Sequence, residues 1–105
     1  MIYEVITTKE AEDDLRGIYE YIAFQLLAPN TAKAQINRLE ERILGLEELP
    51  ERFRAYEKEP WLSRELRITP VDKYLIFYVP DKEKGLVTVV RVLHSGMNVE
   101  KQLMD

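Results

Sequence analysis

The chain has 105 residues, of which 46% are hydrophobic and 32% are charged, with a formal net charge of −4 and no cysteine. This length permits one domain that buries roughly two-thirds of its unfolded surface, so we predict a single domain over residues 1–105. The balance of apolar and charged residues argues against disorder. The lack of cysteine excludes disulfides, thiolate metal sites and cysteine nucleophiles.

The acidic charge is concentrated in the first half of the sequence. Residues 1–50 carry ten acidic and five basic side chains (net −5), whereas residues 51–105 carry nine acidic and ten basic (net +1). Proteins that bind nucleic acids mainly through phosphates normally show a clear basic excess, so this balance argues against that mode of binding. The sequence has no secretory leader pattern and no run of 18 apolar residues, and we therefore predict a soluble cytoplasmic protein.

The N-terminal half predicts one strand and a first helix. The strand covers Ile2 to Ile6. Thr7 and Thr8 offer hydroxyls for a helix N-cap, Thr7 with capping-box spacing to Glu10, and the helix is expected to run to about Leu27. Acidic residues in its first turns suit the helix dipole. Its predicted apolar face consists of Ala11, Leu15, Ile18, Tyr19, Ile22 and Leu26.

A second helix is predicted from Pro29 or Asn30, because proline suits a first helical turn and disfavours helix at the residue before it. Its apolar positions are Ala32, Ile36, Leu39, Ile43 and Leu46. This narrow stripe is typical of packing against a neighbouring helix, so we expect an antiparallel helical hairpin that Pro50 ends. We interpret the charged outward face as a solvated surface, with a docking surface as the alternative.

Three strands are predicted after an ordered polar loop at residues 51–60. Leu66 and Ile68 alternate with polar residues, residues 74–79 are apolar on both faces as in a central strand, and residues 86–93 return antiparallel after a charged turn. The order β-α-α-β-β-β predicts an α+β fold in which the helical hairpin covers one face of a C-terminal antiparallel sheet. Trp61, the only tryptophan, is interpreted as a residue of the core edge.

The last strand contains an arginine and the only histidine, Arg91 and His94. Strand parity predicts Arg91 on the face of Val87, Val89 and Leu93, and His94 on the face of Val90 and Val92, unless the strand ends or bulges near His94. An arginine on an otherwise apolar face must find acceptors, so we interpret Arg91 as ion-paired.

Three segments of this half carry a resemblance to a known family. They are Leu66-Arg67, residues 74–78 (Tyr-Leu-Ile-Phe-Tyr) and Arg91-Val-Leu-His94. With the order of elements, which covers nearly the whole chain, they resemble the RelE/ParE superfamily of bacterial toxins, and within it the ParE-like and plasmid-stabilisation branch. The resemblance implies the toxin of a type II toxin–antitoxin module, held inactive by a co-encoded antitoxin that wraps the sheet and helices.

One branch of this superfamily cleaves mRNA on the ribosome without a metal. Such an interferase needs a general base, an acid and cations for the developing phosphorane charge. The catalytic candidates in that case are His94, Arg91 and Arg67. Interferases often carry an arginine where this chain has Tyr74, and basic or tyrosine residues where it has Met97 and the following asparagine.

A ParE-like toxin needs no acid–base pair, because it binds and traps a complex of DNA gyrase with DNA. We therefore expect a growth inhibitor that binds gyrase, with an mRNA interferase as the first alternative and a non-toxic antitoxin-binding protein as the second. The predicted partner-binding residues are Arg67, Tyr74, Tyr78, Arg91, His94 and Met97. No cofactor, metal or membrane partner is predicted, and the antitoxin is expected at an open sheet edge or in the groove along the helical hairpin.

Overall fold

A four-stranded mixed sheet forms the centre of the computed structural model, which describes residues 1–104. The strands are β1 (Glu4–Thr7), β2 (Arg67–Val71), β3 (Tyr74–Asp81) and β4 (Leu86–His94), in the spatial order β1-β4-β3-β2. The last three strands are antiparallel, as predicted, and β1 adds to them parallel to β4. Strands β3 and β4 are therefore central, which explains why β3 is apolar on both faces.

Helix α1 (Lys9–Glu20) is capped by Thr8, whose hydroxyl accepts the backbone N–H of Ala11 at 3.1 Å. Thr8 is thus the N-cap. The Thr7 hydroxyl instead donates to the Glu12 carboxylate at 3.0 Å. The helix continues as a π-helical turn over Tyr21–Gln25. A π turn rotates the side chains that follow it. The prediction for Leu26 is consequently wrong, since this side chain is 56% exposed. Tyr19, also predicted on the apolar face, is exposed as well.

Helix α2 (Pro29–Gly45) begins at proline, as predicted, and packs against α1. The predicted stripe is confirmed, because Ala32, Leu39, Ile43 and Leu46 are buried and Ile36 packs at the edge of their cluster. The helix ends at Gly45, before Pro50, which begins a 3-10 turn over Pro50–Arg52. Arg52 donates to the carbonyls of Glu48 and Leu49, so a side chain satisfies backbone groups just beyond the helix end.

The two faces of the sheet are covered by different parts of the chain. The face under α1 and α2 carries the larger cluster, which includes Leu39, Leu46, Ile76, Tyr78, Val87, Val89 and Val92. The opposite face carries a smaller cluster of Trp61, Leu66, Ile68, Phe77 and Leu93. The loop before β2 and a short helix α3 (Val99–Met104) cover this second cluster. Trp61 is buried there, in agreement with its interpretation as a core-edge residue.

Helix α3 was not predicted from the sequence. It has only six residues and few apolar side chains, of which Val99 and Leu103 pack against the second cluster. No helix within residues 1–104 has both the length and the apolar character that a membrane span requires.

Candidate partner-binding groove

A β-bulge interrupts β4 immediately before Arg91. Phe77 of β3 pairs with Arg91, but the next residue, Tyr78, pairs with Val89, so Val90 is an extra residue in β4. The regular alternation predicted for β4 is therefore wrong across Val90, and the alternative, a bulge in this strand, is what the structure has. The β4 residues that pack beneath the helices are Val87, Val89 and Val92, whereas Val90 and Leu93 pack on the opposite face.

Arg91 forms a largely buried ion pair with Asp14 of α1. Its Nε and Nη2 donate to the two carboxylate oxygens at 2.7 and 3.0 Å, and the two side chains are 18% and 15% exposed. Its Nη1 donates to the carbonyl of Gln102 at 2.8 Å. One guanidinium therefore joins α1 and α3 to β4, and Arg91 is ion-paired as predicted.

The same Asp14 carboxylate also closes part of a sheet edge. It accepts the backbone N–H of Val92 at 2.9 Å. Strand β1 pairs with β4 only as far as Val89, so no strand within residues 1–104 lies beside Val92 on this side. Asp14 takes the place of that strand, and this part of β4 is protected from pairing with another chain.

His94 and Tyr74 form a second group close to the ion pair. They are cross-strand partners whose rings meet edge to face, with centroids 5.4 Å apart. Nδ1 of His94 accepts the N–H of Gly96 at 2.9 Å, which leaves the proton of a neutral imidazole on Nε2. The Tyr74 hydroxyl has no hydrogen-bond partner within residues 1–104, and burial raises its pKa. The pair therefore offers an N–H donor and a hydroxyl group.

An open groove of about 590 Å³ runs between α1 and the end of β4. We call it the α1–β4 groove. It brings together four of the six predicted partner-binding residues, Tyr74, Arg91, His94 and Met97. On its other side lie residues of α1 and the first residue of the π-helical turn, which were not predicted to form a site. They include Asp13, Asp14, Gly17 and Tyr21.

The charges in the lining of this groove are compensated by neighbouring side chains. Arg91 is bonded to Asp14, and Asp13 is bonded to Lys9 and Arg16 at 2.9 and 2.8 Å. The Lys9 ammonium lowers the pKa of the Asp13 carboxyl. The groove therefore suits an uncharged group better than a phosphate or a strongly acidic segment.

Arg67, the third catalytic candidate, lies outside the groove. It pairs with Tyr78, whereas His94 pairs with Tyr74, and four residues of an extended strand separate these positions by about 13 Å. Its Nη1 donates to the carbonyls of Glu51 and Phe53 at 3.1 and 2.6 Å. Arg91 and His94 thus share the groove, but Arg67 does not join them around a common point.

Tyr78, the sixth predicted partner-binding residue, is fully buried beneath the helices. Its hydroxyl donates to the carbonyl of Pro50 at 2.6 Å, so it fastens the 3-10 turn to the sheet. Burial raises the pKa of Tyr78 to about 12. In this conformation it has no surface with which to contact a partner.

Tyr78 also predicts a change of stability at high pH. The folded state holds the phenolic proton more tightly than the unfolded state, so this stabilisation is complete below pH 10 and is lost as the pH rises toward 12. A rise of two pKa units corresponds to about 2.7 kcal/mol of unfolding free energy. We expect Tyr78→Phe to lower the free energy of unfolding by about 1–3 kcal/mol at neutral pH, because it leaves the Pro50 carbonyl without its hydroxyl donor. Because phenylalanine has no proton to lose, the variant should lose less stability than the wild type between pH 10 and 12.

Urea denaturation followed by circular dichroism at several pH values measures this difference. Tyr19→Phe is the matched control, because Tyr19 is exposed. Loss of its hydroxyl should leave the dependence of stability on pH the same as in the wild type. Identical pH profiles for Tyr78→Phe and the wild type would contradict the prediction.

Comparison with known proteins identifies the family. The model of the ParE toxin of the type II toxin–antitoxin system parDE matches residues 5–99. The chain therefore belongs to the ParE toxin family and is a toxin of a type II toxin–antitoxin system, which confirms the predicted membership of the RelE/ParE superfamily. No curated protein matches the chain in sequence.

Two solved structures share the fold. One is described as the chromosomal ParDE toxin–antitoxin system from P. aeruginosa, with a TM-score of 0.72 and 16% identity over 89% of this chain and 96% of that chain. The other is the toxin–antitoxin complex RelBE2 from Mycobacterium tuberculosis, with a TM-score of 0.65 and 22% identity over 90% of this chain and 99% of that chain. These similarities confirm the predicted α+β fold.

Proposed function

We propose that this toxin inhibits bacterial growth by binding DNA gyrase, and that a co-encoded antitoxin neutralises it. The observation that carries the proposal is the state of Arg91, whose guanidinium is engaged by Asp14 and Gln102. An mRNA interferase requires cations, a base and an acid around one phosphate. Here Arg67 pairs with β3 at a position about 13 Å along the strand from the position that pairs with His94, so the three catalytic candidates do not surround one phosphate. The arrangement supports binding over cleavage.

The antitoxin is proposed to dock at the open edge of β1. The N–H groups of Glu4 and Thr8 donate toward β4, so the backbone groups of Val5 and Thr7 point away from the sheet. An extended segment could pair with this edge and place its side chains in the adjoining groove. That groove, of about 400 Å³, is lined by Val5, Thr7, Glu12, Leu15, Glu40, Ile43 and Leu44. The descriptions of both similar structures, a ParDE system and a RelBE2 complex, support an antitoxin partner.

Induced expression in a bacterial host tests the proposal. We expect growth arrest with a DNA-damage response and intact mRNA, and inhibition of gyrase supercoiling by the purified toxin. Co-expression of the product of the adjacent antitoxin gene should restore growth. Cleaved mRNA without a DNA-damage response would identify an interferase instead, and normal growth without antitoxin would exclude a potent toxin.

A further inference from the structure

Gly17 is a feature of the α1–β4 groove that packing does not explain. Glycine is a poor helix former, and Gly17 lies inside α1. A Cβ atom at this position would meet no heavy atom of residues 1–104 within 4 Å, apart from its chain neighbours and the backbone of its own helix. Its backbone also lies outside the left-handed region that favours glycine. Neither the core nor the backbone conformation therefore requires glycine here.

The missing side chain leaves an opening in the wall of the groove. Three residues lie three or four positions from Gly17 along α1 and the turn that continues it, and therefore share its helix face: Asp13, Asp14 and Tyr21. All three line the α1–β4 groove, with Tyr74, His94 and Met97 among the other lining residues. We call the opening at position 17 the Gly17 pocket.

We propose that the Gly17 pocket receives a large apolar side chain of the protein that the toxin inhibits, and that Gly17 sets the depth of the pocket. This inference rests on the proposed function, in which the toxin acts by binding a target protein. Groups that suit the backbone of such a segment are present beside the pocket. Nε2 of His94 and the hydroxyl of Tyr74 are free to bond a peptide carbonyl next to the inserted side chain.

The surface that continues from the groove supports a protein partner rather than a nucleic acid. Tyr21 connects the groove to the tip of the helical hairpin, where Phe24, Leu26 and Leu27 are exposed. Residues 21–30 contain no charged side chain, on a chain with a net charge of −4. An uncharged apolar surface of this kind is typical of protein–protein contact, whereas a phosphate backbone requires a cluster of available cations.

The backbone at the tip also favours exposure of these side chains. Leu27 is 82% exposed and has a φ of 53°, in the left-handed region that non-glycine residues rarely adopt. It follows the π-helical turn Tyr21–Gln25, a feature that occurs frequently at functional sites. An apolar side chain held outward by a strained backbone is consistent with a binding role.

The closed edge of β4 separates this site from the proposed antitoxin site. Strand addition requires unpaired backbone groups, and Asp14 already accepts the N–H of Val92. The outer edge of β1, on the same side of the sheet, has no strand paired with it within residues 1–104. A strand-forming antitoxin segment is therefore assigned to β1, and the target protein is assigned to the α1–β4 groove.

Filling the Gly17 pocket tests the inference. Gly17→Ala should weaken binding to the DNA gyrase holoenzyme about tenfold, and Gly17→Leu by more than about a hundredfold, because each added group occupies space that the inserted side chain needs. Both variants should inhibit growth less than the wild type. Both should retain the affinity of the wild type for the antitoxin and its midpoint of thermal unfolding or a higher one, since alanine and leucine favour helix over glycine.

Glu20→Leu is the matched control, because it adds an apolar side chain at an exposed position of the same helix that lies outside the groove lining and forms no ion pair within residues 1–104. It should leave gyrase affinity unchanged. Unchanged gyrase affinity in folded Gly17→Leu would overturn the inference while leaving the proposed function intact, as would loss of antitoxin binding with toxicity retained. If the wild type neither inhibits growth nor binds gyrase, the proposed function fails first and the inference fails with it. If the wild type inhibits growth through another protein, loss of toxicity in folded Gly17→Leu would still support the pocket.

Discussion

Replacing Asp14 with alanine is expected to lower the free energy of unfolding by about 3–5 kcal/mol. The substitution leaves the largely buried Arg91 guanidinium without its carboxylate and removes the acceptor of the Val92 N–H. Because Arg91 also donates to Gln102 of α3, the loss should loosen the contacts of both α1 and α3 with β4. Native proteins are commonly stable by only about 5–15 kcal/mol, so this single change removes a large fraction of the total.

Urea denaturation monitored by circular dichroism measures the effect of the Asp14 substitution. Asp13→Ala is the matched control on the same helix, because its ion pairs with Lys9 and Arg16 are solvent-exposed and should contribute little. The double variant Asp14→Leu/Arg91→Met should recover much of the lost stability, since removing both charges leaves no unpaired buried ion. Equal losses for Asp13→Ala and Asp14→Ala would show that the buried pair has no special role.

Elements whose side chains repeat regularly could be predicted from the sequence. The stripe of α2 and the two apolar faces of β3 follow from periodicity, and both are confirmed. Irregular positions could not be predicted in this way. The π-helical turn at Tyr21–Gln25 and the bulge at Val90 each add a residue to an otherwise regular pattern without a glycine or proline to mark it. Each insertion moved side chains, such as Leu26, away from the expected face.

The candidate site was predictable on one side only. Tyr74 and His94 are cross-strand neighbours in a hairpin that the sequence predicts, so their proximity follows from the predicted strands. The opposite side of the groove depends on pairing between distant parts of the chain. Asp14 and Arg91 are separated by 77 residues, and β1 pairs with β4 across a similar distance. No local pattern encodes those contacts, although a glycine within the helical pattern at Gly17 was a signal that could have been used.

Replacing Phe77 with alanine is expected to lower the free energy of unfolding by about 3–5 kcal/mol and to disturb the packing on only one face of the sheet. Phe77 is fully buried in the smaller cluster, and its ring meets that of Tyr56 edge to face with centroids 5.6 Å apart. Tyr56 in turn contacts Trp61, with centroids 5.7 Å apart. The cavity should therefore loosen the loop before β2, while the helices on the other face keep their packing.

The single tryptophan makes this difference between the faces measurable. In Phe77→Ala, we expect the fluorescence of Trp61 to shift to longer wavelengths without denaturant, because water reaches the indole, while the helical circular dichroism signal stays close to that of the wild type. Ile76→Ala is the matched control, because Ile76 is equally buried one residue earlier on the helix-facing side. Ile76→Ala should also lower the free energy of unfolding by about 2–5 kcal/mol, but the emission wavelength of its Trp61 without denaturant should equal that of the wild type. The same emission shift in both variants would mean that the two clusters respond as one core, and that the loop and α3 are not a separately packed layer.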